Sequence, residues 1–238
     1  GVILGHNKFI AWGATTNPMD VTDTFIEQLI ADPSSPSGLA IVHEGVREPV
    51  EAIPETFRVN TLGAGVVEVP PGGGIPEATL VVPRRNNGPL VFADVAASMG
   101  VSVQFTGFSA TREVETFLRW NRARNLGEFM EGLQSFDFGS QNWAYADVHG
   151  NLAYFTSGEM PLREDLEAGA VDGLPPFFVR DGTGGNEWLP VAHPQPNQAV
   201  PYEILPPDEM PQVVNPPAGW FVNANNDPAG TTLDNDPL

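Results

Sequence analysis

The stretch Gly219-Trp220-Phe221-Val222-Asn223-Ala224-Asn225-Asn226-Asp227-Pro228 delivers three carboxamides at the end of an apolar run. A side-chain amide N–H aimed at a developing negative charge can stabilise an oxyanion. Asn and Asp before Pro are also ordinary turn formers, so the cluster by itself supports either reading. Near the other end, Phe9-Ile10-Ala11-Trp12-Gly13-Ala14 runs into the small-residue turn Thr15-Thr16, followed by the acids Asp20 and Asp23. Solvated surface positions are the plain reading of two such acids. His6, His43, His149 and His193 are scattered, without metal-ligand spacing. No Ser-His-Asp arrangement, phosphate loop or dinucleotide fingerprint is apparent.

Elements able to position such groups can be read from the apolar pattern. Short apolar runs broken by turn formers predict strands at Val2 to Leu4 and Phe9 to Ala14 around the turn Gly5-His6-Asn7. Further short strands are expected at Leu39 to Val42, Phe57 to Val59, Val66 to Val69, Thr79 to Val82 and Leu90 to Phe92. Proline and glycine clusters between them suggest antiparallel sheet, with Pro70 to Gly74 as a long hairpin loop rather than a domain linker. Val114, Phe117, Leu118, Leu126, Phe129, Met130 and Leu133 recur at helical spacing, predicting two helices between Arg112 and Gln134. Asn125 and Glu128 form a capping-box pattern at the start of the second. Trp143 to Asp147 and Leu152 to Thr156 flank the turn Val148-His149-Gly150-Asn151 and read as a hairpin. The Pro-rich remainder up to Asn215 is expected to be extended chain wrapped on the surface, and the five tryptophans to be core or half-buried.

Composition narrows the function classes. The chain has 238 residues, enough for a large core. Thirty acids against eleven bases give a net charge of -19, which repels phosphate backbones and anionic lipid and leaves a divalent cation as the more natural guest. With no cysteine, disulfides and thiolate metal sites are excluded. No apolar run approaches the roughly 20 residues of a membrane helix, so a soluble chain is expected. Gly1 opens directly into apolar sequence without an initiator Met, which reads as an internal cut.

Five blocks in order, spanning nearly the whole chain, resemble the penicillin acylase family of N-terminal nucleophile hydrolases. They are the GHN-x4-WG segment at Gly5 to Gly13, the Asp20/Asp23 pair, Asn142 to Asn151, Gly158 to Arg163 and the closing Asn225-Asn226 segment. Residues 47 to 109 match poorly except at Asn87-Gly88-Pro89. The resemblance implies an α+β fold, part of a four-layer αββα architecture, mostly antiparallel with a helical hairpin near 112–134. Residues 1–238 would be an internal piece of the catalytic β-subunit, lacking the nucleophile and inactive alone.

The family's nucleophile is the first residue of that subunit, usually Ser, with its own α-amine as base. An α-amine titrates at about 7.7 to 8, so no histidine is needed. By the same resemblance Thr16 gives a backbone N–H and Asn225 a side-chain amide to the oxyanion. Ile3, Leu4, Ala14, Pro18 and Phe117 would line the acyl pocket. Gln141 departs there from the apolar residue of phenylacetyl-specific enzymes. Asp20, the carbonyl of Thr22, Asp23 and Asp236 would hold a structural calcium ion, Asp234 being a possible substitute for the last. The substrate would be a small acylated amine, the setting periplasmic or secreted, and the protein partners the remaining segments of the same precursor. An acyl-homoserine lactone acylase is the alternative within the class. A calcium-stabilised extracellular binding module is the alternative outside it.

Overall fold

The computed structural model describes residues 1–70, 72, 77–167, 173–226 and 228. Its strands, in chain order, are β1 (Gly5–His6), β2 (Ile10–Thr16), β3 (Thr22–Ala31), β4 (Leu39–His43), β5 (Val46–Pro49) and β6 (Glu51–Pro54). They continue with β7 (Arg58–Thr61), β8 (Gly65–Glu68), β9 (Ala78–Val82), β10 (Gly88–Asp94) and β11 (Met99–Phe105). After the helices α1 (Glu113–Trp120) and α2 (Leu126–Leu133) come β12 (Gln141–Asp147), β13 (Leu152–Ser157), the short α3 (Glu164–Glu167), β14 (Arg180–Asp181) and β15 (Gln212–Val214). The chain divides into two compact units. One comprises residues 1–22, 106–178 and 185–238, the other 23–105 and 179–184.

The first unit is built on an antiparallel sheet of order β1-β2-β12-β13-β15. Alternation along β2 turns Ile10, Trp12 and Ala14 to one face, and opposite register partners such as Trp143 to Ala14 extend that apolar surface across β12. Helices α1 and α2 cover it. Trp120 stacks on Phe129 with centroids 4.3 Å apart and meets Trp143 edge-on at 4.6 Å. Gly132 makes this possible, because a Cβ there would lie 2.7 Å from Trp120 Cδ1. The α2 N-terminus follows the capping pattern in part: Glu128 N donates to Asn125 Oδ1 at 2.9 Å, while the Glu128 carboxylate accepts from Arg124 N rather than from Asn125 N. Asn7 explains its place in the GHN segment. Its Nδ2 donates to the carbonyls of Trp120 and Ala123, and its Oδ1 accepts from the N–H groups of Phe9 and Ile10.

The β12–β13 hairpin forms as expected. Asp147 closes it by accepting from His149 N, Asn151 N, Asn151 Nδ2 and Tyr145 Oη. The long Pro-rich region departs from expectation. Rather than lying on the surface, it buries Met160, Trp188, Val200, Ile204 and Met210, with Met160 and Met210 packed on Met19. Isolated bridges Pro161–Ile204, Arg163–Trp188 and Pro190–Tyr202 hold it in place of regular strands, which proline's missing N–H disfavours. Three local expectations also shift. Residues 2 to 4 form no strand, Ile3 and Leu4 being bends, the strand expected from Phe9 begins at Ile10 and runs to Thr16, and Trp220 is 65% exposed.

The second unit is a sheet of order β5-β4-β3-β11-β10-β9-β6, with β14 parallel to β3 and a separate β7–β8 hairpin. Of the flanking strands, β8 pairs with β7 and β9 with β6 and β10, and most of the loop expected at Pro70 to Gly74 lies outside the described residues. Leu29, Ile41, Val50 and Val82 form its apolar core. Beside it lies a buried ion pair. Glu27 accepts from Arg85 Nε at 2.7 Å and from Ser102 Oγ at 2.6 Å, and the guanidinium stacks 3.6 Å over Phe25. Such a pair is tolerated only when hydrogen bonds satisfy both ions.

Candidate active site

In the first unit, β1 pairs only with Ala11 and Trp12, so among the described residues no strand covers that edge of β2 further along. There the backbone N–H of Thr16 donates to Asn225 Oδ1 at 2.9 Å, joining residues 209 apart in the chain. Asn225 stands in the left-handed region, with φ of 62°, a conformation that Asn tolerates better than most residues. Both residues are solvent-exposed, so the pair is open to a ligand.

An amide N–H and a carboxamide in contact are the components of a two-donor anion site. Here they satisfy one another, the N–H giving and the carboxamide oxygen accepting. To bind an oxyanion, the carboxamide has to swing aside and turn its NH2 toward the space it vacates. The lost neutral hydrogen bond is worth about 1 kcal/mol, and each charge-assisted replacement is stronger.

The other expected residues fall at several places on this unit. Gln141 is the register partner of Thr16, and its Nε2 donates to the carbonyl of Gly139 at 3.1 Å. Ala14 pairs with Trp143, whose ring also meets Phe117 of α1. Ile3 and Leu4 are 64% and 53% exposed on a segment fastened to α1 by reciprocal hydrogen bonds between Val2 and Asn121. The Ile3 carbonyl accepts from Trp12 Nε1 at 2.7 Å. Pro18 is exposed two residues beyond Thr16. Thus Thr16, Gln141 and Asn225 come together, and Ala14 and Phe117 share Trp143.

Of the expected calcium ligands, Asp236 lies outside the described residues. In the first unit Asp20 accepts from Thr22 N at 3.3 Å, and its carboxylate is 3.7 Å from Arg163 Nη2. In the second unit Asp23 is buried, 3.8 Å from Arg180 Nε. Among the described residues, no three acidic or histidine side chains gather as a metal would need. The carboxylate and carbonyl oxygens suit calcium in kind.

Sequence reasoning assigned no role to Thr15, Asn142, Tyr154 and Asn223. Asn223 Oδ1 accepts from Thr15 Oγ1, from Asn142 Nδ2 at 3.2 Å and from Asn225 N at 3.1 Å. Asn142 Nδ2 also donates to the Thr16 carbonyl at 2.9 Å, and Tyr154 Oη donates to Asn142 Oδ1 at 2.5 Å. A signal was present: strand alternation sets Thr15 and Asn142 on the sheet face opposite Ala14 and Trp143. Their register could not be read without the pairing.

Residues 1–237 match the family described as penicillin amidase. The backbone is similar to a solved thermostable penicillin G acylase from Alcaligenes faecalis, with TM-score 0.67 and 27% identity over 95% of this chain and 34% of that one. The fold is the mostly antiparallel α+β fold of the N-terminal nucleophile hydrolases. The chain belongs to the penicillin amidase family.

Among curated relatives, it is 27% identical over 236 residues to penicillin G acylase of Escherichia coli, covering 96% of this chain and 23% of that protein. It is 25% identical over 224 residues to the acyl-homoserine lactone acylase QuiP of Pseudomonas putida, covering 94% of this chain and 23% of that protein. The chain thus spans about a quarter of the length of the curated relatives it matches.

Proposed function

We propose that the protein containing this chain is an acylase-type amidohydrolase, and that Thr16 and Asn225 supply its oxyanion donors. The observation that carries the reading is the 2.9 Å contact between Thr16 N and Asn225 Oδ1. Two segments so far apart in sequence meet at the residues that the family resemblance singles out.

The reaction is hydrolysis of a linear amide between an acyl group and an amine. An N-terminal Ser hydroxyl, outside this chain, attacks the carbonyl carbon while its own α-amine takes the proton. The carbonyl oxygen becomes an oxyanion held by Thr16 N–H and Asn225 Nδ2. Collapse breaks the C–N bond as the α-ammonium passes its proton to the leaving amine. Water, deprotonated by the α-amine, then attacks the acyl-serine ester through a second oxyanion at the same place, whose collapse breaks the ester C–O bond, returns the proton to the Ser oxygen and releases the acid. Ile3, Leu4, Ala14, Pro18, Phe117 and Gln141 belong to the acyl side of the site. Calcium would be held by oxygens of Asp20, Thr22 and Asp23, with Asp236, and would act structurally. A periplasmic or secreted setting accords with the resemblance.

Similarity to an acyl-homoserine lactone acylase favours a second substrate reading, an acyl-homoserine lactone, and polar Gln141 argues against a purely aromatic pocket. Family membership weighs against a non-catalytic binding module. The test is to express the full-length gene product and assay self-cleavage and amine release. Phenylacetyl, penicillin and N-acyl-homoserine lactone substrates form the panel. Amine release by the self-cleaved protein supports the reading; intact protein that binds but turns over none of the panel contradicts it.

A further inference from the structure

Asn225 sits on a loop, and a loop places a reacting group only as well as its anchors allow. We propose that Asn223 is the positioning residue for the donor pair, itself held by Asn142 and Tyr154. The inference rests on the reading of Thr16 and Asn225 as oxyanion donors.

Asn223 touches both halves of that pair. Its Oδ1 accepts the backbone N–H of Asn225 at 3.1 Å and the hydroxyl of Thr15, the neighbour of Thr16. The same oxygen accepts from Asn142 Nδ2, which also donates to the Thr16 carbonyl. Asn142 is buried at 2% exposure, and Tyr154 Oη fixes its orientation by donating to its Oδ1 at 2.5 Å. The chain of bonds thus runs from β13 through β12 to the end of β2 and on to the Asn225 backbone.

The loop tip is closed from the other side as well. Asn223 Nδ2 donates to the Asn226 carbonyl at 3.3 Å, and Ala224 N donates to Asn226 Oδ1 at 3.1 Å. Phe221 packs edge-on against Tyr154 with centroids 5.7 Å apart. The bond from Asn225 N to Asn223 Oδ1 is an Asx-type turn, and it leads into the positive φ of Asn225. With the backbone held this way, exchanging Thr16 N–H for an oxyanion requires motion of the Asn225 side chain alone.

Donors used mainly in the transition state affect kcat more than KM. Losing Asn223 should therefore displace the donors and slow turnover without weakening substrate binding. The test is steady-state kinetics on the full-length, self-processed enzyme bearing Asn223→Ala, Asn223→Asp, Asn225→Ala and the Asn223→Ala/Asn225→Ala double substitution. Asn223→Ala is expected to lower kcat about 10- to 100-fold, the scale of a small misplacement of reacting groups, with KM little changed. Asn223→Asp keeps the accepting oxygen and should recover most of the rate. The double variant should be slower than Asn225→Ala by less than the factor that Asn223→Ala costs alone, because groups acting as a unit are not additive.

If Asn225→Ala is impaired but Asn223→Ala is not, or if the two losses multiply, positioning is overturned and the oxyanion reading stands. If Asn225→Ala turns over at the parental rate, both fall. Should Asn223→Ala not fold, Tyr154→Phe replaces it. A few-fold kcat loss that shrinks in the Asn225→Ala background supports the proposal, and one that persists there undiminished, or no loss at all, overturns it.

Discussion

Asn225 and Glu159 show how differently single residues announce themselves. Asn225 was legible through the order of motifs around it, and its contact with Thr16 followed. Glu159 stood in a recognised block, Gly158 to Arg163, yet nothing in its spacing revealed its burial. Both its oxygens accept backbone N–H groups, from Ala199 and Val200, each at 2.6 Å. Burial pushes its carboxyl up to about 7, Asp137 adds to that, and the two N–H groups and Arg112 oppose it. The folded chain therefore holds a proton that the unfolded chain releases from about pH 4.5, so the stability from this group falls as pH rises from 4.5 to about 7 and levels off above. Thermal unfolding of the full-length protein and of Glu159→Gln at pH 5 and pH 8 checks this. The parent should lose more stability than the variant between the two; parallel changes would contradict it.

At the scale of elements, periodic segments were readable and irregular ones were not. Helices α1 and α2 and the β12–β13 hairpin follow from three- to four-residue spacing and from alternation, because each buries one face against one neighbour. Between β13 and β15 the sequence carries little period, since isolated bridges and single buried side chains hold many of the described residues there, and Met160 or Trp188 gives no local sign of its partners. Pairing order is likewise invisible locally: β8 and β9 are neighbours in sequence and lie in different sheets.

The α1–α2 contact offers a substitution whose sign is diagnostic. Gly to Ala in an exposed helix interior gains up to about 1 kcal/mol. At Gly132 the added methyl would meet Trp120 Cδ1 at 2.7 Å and Nε1 at 2.8 Å. Gly132→Ala should instead cost about 1–3 kcal/mol by overpacking, measured by urea unfolding of the full-length protein. A gain in stability would show that Trp120 yields easily.

For the whole molecule, a charge of -19 is a source of self-repulsion that bound cations relieve. If calcium binds at Asp20, Thr22 and Asp23, chelation should lower the Tm of the full-length protein and added calcium restore it. Asp20→Asn should blunt that response, because binding to the folded state alone raises stability by mass action. An equal response in parent and variant would remove Asp20 from the ligand set. Family and fold were legible at this scale because five short blocks keep their order over the chain, whereas the division into two units was not. The second unit begins and ends within continuous sequence, at residues 23–105 and 179–184, and no linker composition marks its borders. The central claim concerns the meeting of residues 16 and 225, and kcat of Asn225→Ala in the self-processed enzyme tests it most directly. The account predicts a fall of about 10²- to 10³-fold with folding and KM preserved, the cost of removing one oxyanion donor. A folded variant turning over within about threefold of the parent would contradict it.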